Sequence, residues 1–420
     1  MRELDAQAVA ILKANDRGGF TVPTARLYPY QWNWDSAFAA LGFAAFDLDR
    51  AWREIETLFE GQWANGMVPH IVFRRDDPDY FPGPATWRTG TTPPTSGHSQ
   101  PPVVASAVRA LLDQDPAAGE ARARALYLRL LAYHRWWHGC RDPDGTGLVV
   151  ATHPWESGRD NSPDWDGALA AVDPSGVEPF VRRDTGHVDA SMRPTQAEYE
   201  RYVRLVEYGR GTGWDHARIA SEGPFRVADP GLLFILARAD RDLLAVGESL
   251  GEDAALPEIA GWIDRAREGA ARLWDGERGA FLARDLVGGS VAPGVSSTAF
   301  LAFWAGIAEP AREDVLAGTL ARILGGVRHG VPTFDPAHPS FEPRRYWRGP
   351  VWAILNYMIG RGLEERGRDD LAARVRGDTR RLIETAGFAE YFDPLEGTAC
   401  GGTSFTWTAA IWLCWARGSG

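Results

Sequence analysis

Apolar residues recur along this chain at helical spacing in two alternating kinds of segment, and that alternation narrows the possible folds sharply. Residues 2–15, 49–63, 117–138, 255–275, 310–324 and 368–385 carry charge on one face and apolar side chains on the other. That is the pattern of helices half in contact with water. Between them lie more apolar stretches at about 34–46, 100–113, 190–208, 229–248, 296–306, 349–364 and 403–417. Two pieces, Ala353-Ile354-Leu355-Asn356-Tyr357-Met358-Ile359 and Ala409-Ala410-Ile411-Trp412-Leu413-Cys414-Trp415, are charge-free, as a helix buried on every side requires. Half-wet helices alternating with dry ones predict two concentric rings, an all-α (α/α)6 barrel. Its twelve helices fall one short of the thirteen candidates, and an irregular helical bundle is the alternative.

No Ser/Gly-rich or Pro-rich linker divides the 420 residues, so a single catalytic domain over 1–420 is expected. The long loops at about 64–98 and 139–188 are rich in Gly and Pro and would form a wall or lid over one end of the barrel. Aromatic and hydrogen-bonding runs precede the apolar helices: Tyr28 to Ser36, Ser96 to Pro101, Tyr346 to Trp352 and Gly401 to Trp407. Parallel inner helices would gather these runs at one end, where a rigid scaffold can hold ligand-binding loops. The 18 Trp exceed ordinary usage. A Trp ring fills a core well and also stacks on the C–H face of a sugar. Scattered ones such as Trp52, Trp262 and Trp304 suit the core; the clustered ones suggest a ligand.

A net charge of -11, with acids and bases mixed along the chain, argues against nucleic acid and anionic membranes as partners. Three cysteines, Cys140, Cys400 and Cys414, lack metal-type spacing, and so few thiols fit an intracellular, cytoplasmic location. The charged start Met1-Arg2-Glu3-Leu4-Asp5 is unlike a signal peptide. His134 and His138 stand four apart on an amphipathic helix without a third ligand nearby, so a structural role suits them better than metal binding. No phosphate-binding loop, dinucleotide fingerprint or Ser elbow is present, and no metal or cofactor is expected. The expected partner is a small molecule, with a homo-oligomer left open.

The most informative segment is Trp155-Glu156-Ser157-Gly158-Arg159-Asp160-Asn161-Ser162-Pro163. It sets Asp160 in a short turn beside a ring and a second carboxylate, which raise an acid's pKa, and beside Arg159, which lowers it. A carboxyl in such surroundings makes a proton donor. The bland alternative is a helix cap or turn. Late in the chain, Phe388-Ala389-Glu390-Tyr391-Phe392-Asp393-Pro394 offers a second carboxylate among rings. Glu390 is favoured as general base, with Asp393 and Glu396 as close rivals. Two carboxylates in aromatic surroundings hydrolyse sugar acetals. Asp35, beside Trp32 and Trp34, either caps a helix or accepts two hydrogen bonds from adjacent sugar hydroxyls. Tyr346, Trp347, Arg348 and Trp352 supply an aromatic wall with a cation.

At these residues the chain resembles glycoside hydrolase family 63, in particular its small bacterial members that act on glycosylglycerates. The similarity runs over nearly the full length. It rests on Tyr-Pro-Tyr-Gln-Trp-Asn-Trp-Asp-Ser at 28–36, Trp-Glu-Ser-Gly-Arg-Asp-Asn-Ser at 155–162, Tyr-Trp-Arg-Gly-Pro-Val-Trp at 346–352 and Glu-Tyr-Phe-Asp-Pro at 390–394. The resemblance implies an (α/α)6 barrel of inverting α-glycosidases with Asp160 as acid and Glu390 as base. Larger relatives carry an extra N-terminal β domain for which this chain has no room, which favours a compact substrate. Mannosylglycerate is the expected one, with glucosylglycerate the first alternative. The carboxylate of its aglycone needs a cation with fork geometry. Arg193 is the choice, with Tyr28, Tyr80 and Gln100 beside it, and His70, Trp155, Glu156 and Tyr199 complete the expected substrate contacts. Inversion predicts carboxyls roughly 6.5–9.5 Å apart, with room for water between them. Rivals are a trehalase-like or oligosaccharide α-glucosidase, a sugar epimerase working through His70 and His98, and a non-catalytic sugar-binding protein.

Overall fold

The computed structural model describes residues 3–25, 27–186 and 188–418; the first position of the first predicted helix, residue 2, lies outside them. Capping chemistry sets where the helices begin. Asp115 accepts from Ala118 N at 3.1 Å and Pro116 takes the first helical position, opening a helix over Pro116–Arg141. Asp229 and Pro230 repeat this arrangement for Pro230–Leu250, which stops at Gly251 in the left-handed region.

Six helices form an inner ring: α2 (Asn33–Ala44), α5 (Val104–Gln114), α10 (Pro230–Leu250), α12 (Leu301–Ala305), α14 (Ala353–Glu365) and α16 (Thr406–Ile411). Each packs on the next in that order, and α16 packs back on α2, so the ring closes. Around it lie α1 (Glu3–Asn15), α3 (Leu48–Phe59), α6 (Pro116–Arg141), α11 (Leu256–Leu273), α13 (Pro310–Gly325) and α15 (Asp369–Ala386). The two layers differ as their side chains require. Every residue of α2 is buried, whereas α3 buries one stripe, Ala51, Trp52, Glu54, Ile55, Leu58 and Phe59. The architecture is the expected (α/α)6 barrel.

The surplus thirteenth candidate has a physical explanation. The predicted inner segment 190–208 is α8 (Gln196–Gly211), opened by a Thr195/Glu198 capping box, and it is not part of the ring. It packs on the short helix α4 (Pro84–Trp87), and its apolar face meets an aromatic wall: Tyr199 and Tyr202 lie 5.7 and 5.5 Å from Trp155. The remaining helices, α7 (Asp166–Ala170) and α9 (His216–Glu222), also lie in the connections. Two-residue antiparallel ladders pin these connections down, Gln31–Trp32 to Ile71–Val72 and Tyr391–Phe392 to Ala399–Cys400 among them. No helix among the described residues is long and apolar enough to cross a membrane.

The approaches to the inner helices meet at one end. Trp34 and Asp35 at the start of α2, Gln100 before α5, Trp347 before α14, and Phe405 and Trp407 at α16 all line a single cavity. Asp229 and Ser296, ahead of α10 and α12, hold the loop that carries Asp160, through Arg159 and Asp164.

Candidate active site

The Asp160 turn is built from its neighbours inward. Gly158 has φ +71°, and a Cβ there would come within 2.7 Å of the Trp34 ring, so only glycine lets the turn lie against that indole. Tyr202 Oη and Trp165 Nε1 donate to the Asp160 carbonyl at 2.9 and 3.0 Å, fixing the backbone from behind. The side chain then lines the cavity. Burial pushes the Asp160 carboxyl up to about 7; Arg193 pulls it down, while Glu390 and Asp184 push it further up.

The partners anticipated for this acid are engaged elsewhere. Arg159 turns away, its guanidinium over the Trp165 ring, and binds Asp164 at 2.7 Å and Asp229 at 2.8 Å. Glu156 is wholly buried and held by Arg141 at 2.7 and 2.9 Å and by Thr152, so it lies behind the cavity wall and does not reach a ligand. The cation that governs Asp160 is Arg193, remote in sequence.

Glu390 is fully buried at the start of a short ladder. Its Oε1 accepts from Tyr28 Oη at 3.0 Å and its Oε2 from Gly402 N at 2.8 Å. Gly401, with φ +71°, makes this approach possible, since a Cβ would stand 2.4 Å from Oε2. Burial raises the Glu390 carboxyl above its ordinary range, with Arg193, Gly402 and Tyr28 acting in the opposite direction. The rivals are committed differently. Asp393 accepts the backbone N–H groups of Leu395 and Glu396 in a turn, and Glu396 is exposed near Arg328.

A cavity of about 890 Å³, mouth included, is lined by Asp160 but not by Glu390, which lies behind the lining residue Tyr28. Of the expected contacts, Tyr28, Trp32, Trp34, Asp35, His70, Tyr80, Gln100, Trp155, Arg193, Tyr199, Tyr346 and Trp347 line it. Three others do not. Besides Glu156, Trp352 stacks behind Trp347 at 3.7 Å and donates to the Tyr346 carbonyl, and Arg348 is bound by Asp166 and Glu342 while it donates to the Asn161 carbonyl. Both brace the wall. His70 reaches the cavity, but His98 is stacked behind it at 4.8 Å, and burial depresses both imidazoles well below their usual range. His134 and His138 both bind buried Asp240, at 2.7 and 3.0 Å.

Arg193 lies at the junction. Its Nε donates to Asp184 at 3.1 Å and its Nη1 to Tyr28 Oη at 3.0 Å, with Glu390 Oε1 at 3.7 Å; the guanidinium covers the Tyr346 ring at 4.1 Å. Nη2 makes no hydrogen bond among the described residues. The sequence reading passes over Asp184, Arg183 and Trp407, which also line the cavity. Trp407 was discoverable, since it closes the aromatic run before α16. Arg182-Arg183-Asp184 looks like any charged loop.

Buried acids facing a Trp- and Tyr-walled cavity suit sugar chemistry, and comparison with known proteins agrees. Residues 28–408 match the mannosylglycerate hydrolase MGH1-like glycoside hydrolase domain. The chain belongs to this glycoside hydrolase family. It is a glycosidase. The family's mannosylglycerate hydrolase from Thermus thermophilus is 47% identical over 416 residues, 98% of this chain and 100% of that protein. A glucosylglycerate hydrolase from Mycolicibacterium hassiacum is 36% identical over 434 residues, 98% of this chain and 97% of that one. A crystal structure of a family 63 mannosylglycerate hydrolase from Thermus thermophilus, in complex with Tris and D-glycerate, superposes with a TM-score of 0.95 at 47% identity, covering 99% of this chain and 100% of that one.

Proposed function

We propose that this glycosidase hydrolyses mannosylglycerate to mannose and D-glycerate with inversion. The observation that carries the reading is the open Nη2 edge of Arg193, in the wall of the cavity that Asp160 also lines. A buried guanidinium edge needs a planar anion, and the glycerate carboxylate supplies one. The relatives support mannose over glucose, because the mannosylglycerate hydrolase shares 47% identity and the glucosylglycerate hydrolase 36%.

In this reading Trp34, Trp347 and Trp407 enclose the sugar ring, and Asp35 takes a pair of its hydroxyls. Asp160 gives its proton to the glycosidic oxygen as the C1–O bond breaks, releasing D-glycerate. Glu390 takes a proton from water as the water oxygen bonds to C1 from the opposite face, so the β-sugar forms first. The deciding experiment incubates the enzyme with mannosylglycerate and glucosylglycerate and follows the product anomer by NMR. Faster cleavage of mannosylglycerate with β-mannose appearing first is expected. Initial α-mannose would overturn inversion, and preferential cleavage of glucosylglycerate or of a neutral disaccharide would overturn the substrate. Asp160→Asn should lower kcat roughly 10²–10⁴-fold while leaving KM nearly unchanged; a variant keeping most of its activity removes Asp160 from the acid role.

A further inference from the structure

Arg193 is shared between two carboxylates. Asp184 Oδ2 lies 3.1 Å from its Nε, and Glu390 Oε1 lies 3.7 Å from its Nη1. Asp184 is itself clamped. Arg182 binds it twice, at 3.1 and 2.7 Å, then donates to the Pro194 carbonyl at 2.6 Å and lies over the Tyr199 ring at 4.5 Å. The row Arg182–Asp184–Arg193 therefore ties a loop to the neighbourhood of Glu390. Burial would raise the Asp184 carboxyl, but the two arginines outweigh it and hold it below its usual range, so Asp184 is a standing anion.

We infer that Asp184 is a positioning residue that restrains Arg193, keeping the guanidinium from closing on Glu390 and leaving one edge for the aglycone carboxylate. The inference rests on the proposed role of Arg193 in binding glycerate. The physical reason is competition for one cation. With Asp184 ionised, Arg193 divides its charge between two partners. Without it, Glu390 is the nearest remaining anion, and Tyr28 Oη already draws Nη1 in that direction. A full ion pair would stabilise ionised Glu390, weaken it as a base and withdraw the open edge from the substrate.

The test compares wild-type enzyme with Asp184→Asn, which preserves shape and removes charge, and Asp184→Glu, which restores charge. Two quantities are read: D-glycerate affinity by calorimetry, and kcat/KM for mannosylglycerate against pH. For Asp184→Asn, D-glycerate should bind roughly tenfold more weakly and the acidic limb should move to lower pH, with Asp184→Glu returning the limb toward the wild-type position. A loosened loop alone would weaken binding and leave the limb in place; loss of the Asp184 charge alone, which raises Glu390 directly, would move the limb without weakening binding, and that outcome also overturns the inference. An unmoved limb in Asp184→Asn, or one moved to higher pH, therefore overturns the inference. Failure of the wild-type enzyme to bind D-glycerate overturns the role of Arg193 instead, and the limb still reports on Asp184.

Discussion

In the proposed mechanism Asp160 holds its proton at a pH where Glu390 has lost one, and their surroundings differ in that direction. Both are raised by burial, but Glu390 accepts hydrogen bonds from Tyr28 and Gly402, which favour its charged form. Asp160 has only Arg193 and its own backbone to offset burial and reaches about 7. Environments that push two acids apart assign their roles. The sign follows directly. As the proposed acid, Asp160 acts when protonated, so above the acidic limb set by Glu390 kcat/KM should fall as pH rises through about 7. A rate profile flat to pH 9 would contradict this. In the sequence, Asp160 and Glu390 stand out because rings crowd them, and rings mark dry ground. Their counter-ions do not stand out. Arg159 is adjacent to Asp160 yet binds Asp164 and Asp229, and the arginine facing both acids is 33 residues further on, at position 193.

Among the elements, the braces behind the cavity are as consequential as its lining. The Arg141–Glu156 pair joins the end of α6 to the turn that carries Asp160, with both side chains fully buried. Glu156→Ala would strand a buried guanidinium, at a cost of roughly 3–5 kcal/mol. Thermal melting should show that loss, while KM of the folded variant stays within about twofold. An unchanged melting temperature with a raised KM would return Glu156 to substrate contact. Helical periodicity made the barrel's helices legible, with boundaries displaced by a few residues. It could not assign a layer to α8, because an apolar face says nothing of what covers it. Tyr199, Tyr202 and Val203 would suit a barrel core as well as the aromatic wall they meet. Arg348 and Trp352 show the same limit: both fall in a motif with lining residues, yet Trp352 stacks behind Trp347 and Arg348 is held by Asp166.

Ring closure governs the whole molecule. The first outer helix locks the last inner one: Asn15 Nδ2 donates to the Ser404 carbonyl and to Thr406 Oγ1, both at 3.0 Å, and Trp412 Nε1 donates to Asp5 at 2.9 Å. Asp160 and Glu390 come from distant parts of the chain, so the pair exists only while the circle is intact. Loss of activity, near-ultraviolet signal and helical signal in urea should share one midpoint. Two separated helical transitions would show that part of the ring survives alone. The circle also has an electrical consequence. Helices α2, α5, α14 and α16 present their amino ends to the cavity, each equivalent to about half a positive charge. Those ends offset part of the charge of Asp35, Asp79, Asp160 and Asp184, which line the cavity beside Arg183 and Arg193, so an acidic sugar derivative meets less repulsion there than a formal charge of -11 alone implies.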